Sequence, residues 1–551
     1  MDYFRPDQTL AIFRLEGYLM SLPFSQFAHS IFARTYQFNE TETWNQCAFR
    51  VAKAVATNPH QESQFYEMIR DRIFIPGGRY LYSAGRKKFM NSNCYGFMVD
   101  DSREDWARLL HDATLCLSTG GGLGVNYSNI RAEGTPISTL GGTASGPLSL
   151  IQMVNEVARH VMAGGKRRSA LWAGLHWTHP DIQKFISIKD WDEDIKALKS
   201  KRFEYPAPLD MTNISVIIDD LYLTQQKSNI SLQKLHTQIC DSMARTGEPA
   251  FRNQSRILQD DPEAFTGNAC QESTLHDRDT CNLGSIVLPR IRDANHMEEI
   301  TRLAIQFLYN GSVKATYPTA EIDQVAQRNR RIGLGVMGLH EFMLLNNHRY
   351  EWNLKLENYL RVWAQVSKHE AHRYSNTMAG PEPITTRAIA PTGTISIMAE
   401  TTSGIEPIYC VAYKRRYLNA NHHVFQYVID PTAKRLLDLG IPAKDIEDTY
   451  SLSADIERRL HVQACVQDYV DQAISNTVNL PEWGTPGNDN PAYLANIILK
   501  YLPRLKGLTF YPDKARAGQP LTQVSLDEAL GQEGTVFEEE GERCLNGICG
   551  L

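Results

Sequence analysis

An α/β fold preceded by a helical region follows from three features of the chain. From Ile75-Pro76-Gly77-Gly78 to about Tyr511, short β-like runs ending in Gly or Pro alternate with helical patterns, the grammar of an α/β domain. The first seventy or so residues instead place apolar positions at helical spacing, as in Cys47, Val51, Ala52 and Val55, with no Gly-rich element among them. With 551 residues and 42% hydrophobic content, the chain can bury a large core, as one big domain or two to four smaller ones.

The elements are then expected in order: a helical region over 1–74, an α/β body over 75–514 and a tail over 515–551. Candidate strands are 214–218, 285–288, 387–390 and 508–511. A helix begins at Ser102, where Asp105 completes a capping-box spacing and Trp106, Leu109, Leu110, Ala113 and Leu117 share a face. Another starts at Pro147 and runs through Leu150, Ile151, Val154, Val157, Ala158 and Val161 to a Gly164-Gly165 stop. Both suit core or dimer packing equally. Past Tyr511, an Ala515-to-Pro520 stretch and seven acidic residues between Asp527 and Glu542 read as a mobile tail. There is no internal repeat and no low-complexity tract.

Composition excludes some functions. Lys and Arg total 57 against 63 Asp and Glu, for a net charge of −6 and a pI near 6.3, which argues against coating nucleic acid or anionic lipid but leaves room for a small anionic ligand. The longest uncharged stretch, 134–155, is rich in Gly, Ser, Thr and Pro and predicts no membrane span. The start has neither a basic nor an apolar signal region, so a cytoplasmic protein is expected. Ten cysteines are too sparse for a disulfide scaffold and read as packing thiols plus a few reactive ones.

Several motifs fail. Gly165-Lys166 lacks the upstream Gly of a P-loop, and Gly120-Gly121-Gly122-Leu123-Gly124 lacks the third Gly of a dinucleotide fingerprint. His176 and His179 have no companion ligands, so a structural pair is expected and no metal site. Two cysteine constellations survive. Cys544 and Cys549 stand on a charged tether with a Gly between them, which suggests thiol exchange; incidental cysteines or metal ligands are the alternatives. From Arg516 to Cys544 a flexible chain reaches roughly 30 Å. In the middle, Asn268-Ala269-Cys270-Gln271-Glu272 precedes Cys281-Asn282-Leu283-Gly284-Ser285-Ile286. In extended backbone Asn268, Cys270 and Glu272 point to one side. The alternative is a packing thiol beside a surface charge.

Taken with Asn93-Cys94-Tyr95-Gly96, Ala390-Pro391-Thr392-Gly393-Thr394-Ile395-Ser396 and Thr402-Ser403-Gly404-Ile405-Glu406-Pro407, these motifs occur in an order that resembles the catalytic subunit of ribonucleotide reductases, from about residue 45 onward. The resemblance implies a ten-stranded α/β barrel of two parallel five-stranded halves, with a radical cysteine on a central finger loop. It assigns the thiyl radical to Cys270, the base to Glu272, the hydroxyl clamp to Asn268 and the reducing pair to Cys94 and Cys281. Cys544 and Cys549 would re-reduce that pair and be recycled by a thioredoxin or glutaredoxin-like protein.

The resemblance further places the ribonucleotide at Gly78, Asn93, Gly121, Gly122, Pro391, Thr392, Gly393, Thr394, Ile395 and Ser396. It places a deoxynucleotide or ATP effector at Asp101, Ser102, Arg131, Ile137, Lys166 and Arg168, beside dimer helices within 100–165, and so implies a homodimer. No Tyr-Tyr pair stands before the tail, and Leu508-Thr509-Phe510-Tyr511-Pro512-Asp513 is similar to the adenosylcobalamin-dependent class; a subunit fed by a separate radical generator and a non-catalytic nucleotide-binding protein are the alternatives. Gln271 departs from the Gly common in relatives, and no ATP-binding cone is expected at the N-terminus.

Overall fold

Helix Trp44–Val55 starts where Thr43 and Gln46 form a reciprocal capping box, and helix Pro59–Arg70 starts where Asn58 caps the amide of Gln61. Their apolar faces do not form a separate core. Cys47, Val51, Val55, Phe65 and Ile69 pack with residues of helices Ala294–Lys314 and Leu354–Thr377, and the Phe307 ring lies 5.3 Å from Phe65 and 5.4 Å from Phe74. The computed structural model describes residues 24–138, 141–161, 170–202, 205–419, 422–515, 519 and 521–537.

The strands are β1 (Phe74–Pro76), β2 (Cys94–Met98), β3 (Gly122–Asn126), β4 (Leu171–His176), β5 (Thr212–Ile218), β6 (Ala250–Asn253), β7 (Thr266–Gly267), β8 (Thr274–Leu275), β9 (Asp279–Val287), β10 (Ile332–Met337), β11 (Ala412–Asn419), β12 (His422–Ile429), β13 (Thr477–Leu480), β14 (Gly507–Pro512), β15 (Leu521–Gln523) and β16 (Val536–Phe537). Ten form one mixed sheet in the order β1-β9-β2-β3-β4-β5-β6-β14-β13, with β10 also on β9. β2 through β6 run parallel, as do β9 with β10 and β13 with β14. The five-stranded group meets the other two antiparallel, at β2 with β9 and at β6 with β14. β9 and β10 are buried along their whole length, as strands covered on both faces must be.

The implied closed barrel is corrected in one respect: strand pairing does not run from β10 to β13. Residues 387–390, expected as a strand, make only isolated parallel bridges, Arg387 to Leu334 and Ile389 to Ile474. The Asp471 carboxylate accepts from the amides of Thr386 at 2.9 Å and Arg387 at 2.7 Å, occupying donors that a ladder would use. The other three predicted strands fall within β5, β9 and β14, except that Leu288 begins a short 3₁₀ turn.

Ser102 caps helix Arg103–Ser118 through the Asp105 amide at 3.1 Å, but the Asp105 carboxylate turns to the Asp100 amide at 2.9 Å, so the expected box is half made. The second predicted helix spans Gly146–His160, and its Gly164-Gly165 stop lies outside the described residues. Within the stretch read as a tail, β15 and β16 add to opposite edges of the β11–β12 hairpin. Phe537 stacks there on Phe425 at 5.8 Å and Tyr427 at 5.2 Å. Cys544 and Cys549 lie outside the described residues. Among those described, no helix is long and apolar enough to cross a membrane.

Candidate active site

Two glycines decide where the β7–β8 hairpin lies. A Cβ on Gly124 would stand 2.1 Å from the Gly267 carbonyl oxygen, and one on Gly96 would stand 2.8 Å from the side chains of Leu275 and Thr266. Bare backbone at both positions lets the hairpin rest on the sheet. Its loop carries Asn268, Cys270 and Glu272. Gln271 has φ +69°, which explains why glycine suits this position. Here the side chain compensates: Gln271 Nε2 donates to the Asn268 carbonyl at 2.9 Å, and Gln271 Oε1 accepts from the buried Arg252 at 3.1 Å.

The loop brings its polar groups to a sulfur. Asn268 Nδ2 lies 2.8 Å from Cys94 Sγ, its orientation fixed by the Ser273 amide donating to Oδ1 at 3.0 Å. Glu272 Oε1 lies 3.9 Å from the same sulfur, and Oε2 is buried without a partner. Burial pushes the Glu272 carboxyl up to about 7, opposed by the Asn268 hydrogen bond. Cys94 and Cys281 are direct partners across the antiparallel β2–β9 ladder, and both are free thiols.

Cys270 is exposed, and it lines a cavity of about 230 Å³. Burial, and then the Glu272 carboxyl, push its thiol pKa upward. Of the residues expected at the substrate, Gly78, Asn93, Gly121, Gly122, Pro391, Thr392, Gly393, Thr394 and Ile395 line this cavity with Cys94, Cys270 and Glu272. Ser396 is buried and pairs with the Ser403 hydroxyl at 2.9 Å. The space a Cβ would need at Gly121 is held by Tyr95, and at Gly122 by Ala269, whereas at Gly393 it is open.

The 391–396 turn is braced from both ends. Thr392 adopts φ +51°, and its hydroxyl accepts from the Gly404 amide at 2.8 Å. Helix Ile395–Ala399 follows with no side-chain cap, and the Thr394 hydroxyl meets Tyr36 Oη at 2.5 Å. At the far end, Arg72, Arg290 and Arg435 donate to the carbonyls of Met398, Ala399 and Glu400 at 3.3, 3.1 and 2.8 Å. A second cavity of about 730 Å³ shares Pro391, Gly393 and Thr394 with the first and is lined by Tyr409, Tyr413, Tyr450 and Tyr511.

The residues expected at the effector divide. Asp101 and Arg131 form an ion pair at the helix start capped by Ser102, and Ile137 stands half-buried in the following loop. Lys166 and Arg168 lie outside the described residues. His179 is satisfied by the Ile130 carbonyl at 2.8 Å and the Asp181 amide at 3.0 Å, as a structural histidine would be. Among the described residues, no three His, Cys, Asp or Glu are gathered for a metal ion. Sequence reasoning missed Tyr36 and Arg79 on the cavity wall, and Arg252 behind the loop. Arg79 directly follows Gly77-Gly78, a signal that was present; Tyr36 carries none.

Two thiols and a carboxyl poised near neutrality on one cavity wall, with a third thiol and an amide set against one of those sulfurs, suit an enzyme that moves electrons and hydrogen through sulfur, the chemistry of an oxidoreductase. Comparison with known proteins narrows this. Residues 92–229, 218–386 and 380–511 match the family described as "Ribonucleotide reductase, barrel domain", and residues 22–88 match "Ribonucleotide reductase, all-alpha domain". The chain belongs to the ribonucleotide reductase family, among its large, catalytic chains. It is 29% identical over 541 residues to a vitamin B12-dependent ribonucleoside-diphosphate reductase of Mycobacterium tuberculosis, covering 86% of this chain and 75% of the relative. A protein of the same description from Thermoplasma acidophilum is 27% identical, covering 87% and 68%. A putative adenosylcobalamin-dependent ribonucleoside-triphosphate reductase of Mycobacterium phage D29 is 27% identical, covering 82% and 75%.

Proposed function

We propose that this chain reduces ribonucleotides to 2′-deoxyribonucleotides through a thiyl radical on Cys270, with adenosylcobalamin as the radical source. One observation carries the reading: Cys94 and Cys281 face each other across the β2–β9 ladder while Asn268 and Glu272 converge on the Cys94 sulfur. Cys270, open to the cavity, would take the 3′-hydrogen. Glu272, half ionised near neutral pH, would accept the 3′-hydroxyl proton, and Asn268 would orient the hydroxyls. Cys94 would protonate the departing 2′-hydroxyl, and with Cys281 would supply two electrons and end as a disulfide. The uncapped start of helix Ile395–Ala399 suits a di- or triphosphate.

The 730 Å³ cavity fits the cofactor's adenosyl end, because it is broad, largely apolar, lined by tyrosines and adjoins the Cys270 cavity at Pro391, Gly393 and Thr394, which line both. Tyr409, Tyr413, Tyr450 and Tyr511 would hold it. When bound, the group supplies a carbon–cobalt bond that breaks homolytically. Residues 387–390 would serve as the stave closing the barrel between β10 and β13. Met153, 45% exposed on helix Gly146–His160, and half-buried Trp106 on helix Arg103–Ser118 suit a homodimer contact, with the deoxynucleotide or ATP effector at Asp101 and Arg131. The Cys544–Cys549 dithiol would draw electrons from a thioredoxin or glutaredoxin-like protein.

The test is reduction of CDP and CTP by the purified chain with dithiothreitol and an effector, with and without adenosylcobalamin, and with Cys270→Ala as control. Cobalamin-dependent product that is lost in the variant is the expected result. Activity only with a separate radical-generating subunit overturns the cofactor assignment, and inactivity under both conditions overturns the catalytic reading.

A further inference from the structure

A disulfide under attack by a thiol breaks asymmetrically: the reachable sulfur is attacked, and the other departs as a thiolate, faster when its pKa is lower. Access and charge both distinguish Cys94 from Cys281. Cys94 is on the wall of the 230 Å³ cavity and 5% exposed; Cys281 is fully buried and off that wall. Cys281 Sγ also faces the amide of Gln472, whose Nε2 lies 3.6 Å away. That amide is held in place, because Nε2 also donates to the Ile332 carbonyl at 2.9 Å, while the Gln472 backbone is tied to Arg387 at 3.0 Å and to Gln467 at 3.0 Å. The fully buried Arg331 guanidinium, bound to Asp279 at 2.9 Å and Asp261 at 2.8 Å, is a second group that acts on Cys281, a cation partly offset by the Asp279 carboxylate. Burial pushes the Cys281 thiol up to about 12; Gln472, Arg331 and Ser273 oppose it, and Asp279 adds to it. Cys94 is pushed well up by burial and then by Glu272, with only Asn268 pulling the other way.

We infer that when the oxidised pair is regenerated, Cys94 is the sulfur attacked and Cys281 the departing thiolate, received by Gln472 as a positioning residue. The inference rests on the reading of Cys94 and Cys281 as the reducing pair. In the first step a donor thiolate bonds to Cys94 Sγ as the Cys94–Cys281 bond breaks, and the electron pair stays on Cys281. In the second, the donor's other thiol attacks the donor sulfur of the mixed disulfide and frees Cys94. A dithiol is thereby oxidised to a disulfide, and its two electrons and two protons end on the two cysteines.

The test needs no variant at first. The full chain is oxidised, the Cys94–Cys281 disulfide is confirmed by peptide mapping, and a brief pulse of 2-mercaptoethanol is quenched in acid, alkylated and mapped by mass spectrometry. The adduct is expected on Cys94 and the alkyl group on Cys281, by at least tenfold over the reverse. An adduct on Cys281, or an even division, overturns the inference; failure to find a Cys94–Cys281 disulfide overturns the underlying reading as well. In Gln472→Met the preference is expected to fall at least threefold. A purely structural glutamine would slow attack on both sulfurs alike and leave the ratio unchanged, which would remove Gln472 from the proposal.

Discussion

Glu272 combines near-complete burial, one unpartnered oxygen and a carboxyl raised to about 7. Its proton is released near pH 4.5 when the chain is unfolded and near 7 when folded, so folding holds the extra proton between those values. Stability from this group is therefore present at low pH and is lost as pH rises through that window. Glu272→Gln is expected to be more stable than the parent at pH 8 by about 3 kcal/mol, with the difference vanishing below pH 4.5, as read by urea unfolding. Activity runs oppositely: kcat/KM should rise with pH through about 7, and Glu272→Gln should lose at least ~10²-fold. Gln271 poses a second residue-scale question, since its left-handed backbone costs about 1 kcal/mol in a non-glycine residue. Gln271→Gly removes that cost along with two hydrogen bonds, so stability should change by less than about 1 kcal/mol; Arg252→Met, which strands buried acceptors, should cost about 2 kcal/mol or more.

At the scale of elements, the hairpin position rests on close backbone approach. Gly124→Ala sets a methyl group against the Gly267 carbonyl, so the loop must lift and separate Asn268 and Glu272 from Cys94. The expected result is a loss of turnover greater than ~10²-fold with far-UV circular dichroism retained. Much at this scale was legible. Apolar runs gave three of four strands, and the two helices began within a residue of their predicted starts. What escaped the sequence was competition for backbone donors: Asp471, more than eighty residues away, captures the amides of 386 and 387, and Asp100 takes the second arm of the Ser102 box. Charge density likewise disguised the tail, where Phe537 and two short strands find partners on β11 and β12.

Across the whole molecule, the helical region and the sheet meet around Phe307, whose ring touches Phe65, Phe74 and Tyr80. Phe307→Ala is expected to cost about 3–5 kcal/mol and to weaken the Tyr36–Thr394 contact, visible as protease sensitivity near residue 36 together with a raised KM. The cysteines, Asn268 and Glu272 could be read from sequence because each sits in a short motif. Tyr36 and Gln472 could not, since their partners Thr394 and Cys281 lie 358 and 191 residues away. The β2–β9 junction is where two oppositely directed sets of parallel strands are sewn together, and Cys94 and Cys281 are a stitch in that seam. Oxidising them would close a loop of roughly 190 residues, a constraint on the order of 5 kcal/mol in the chain-entropy model. Each catalytic cycle would therefore fasten and release the sheet at that seam, so the resting redox state should be readable as a melting temperature before any product is measured.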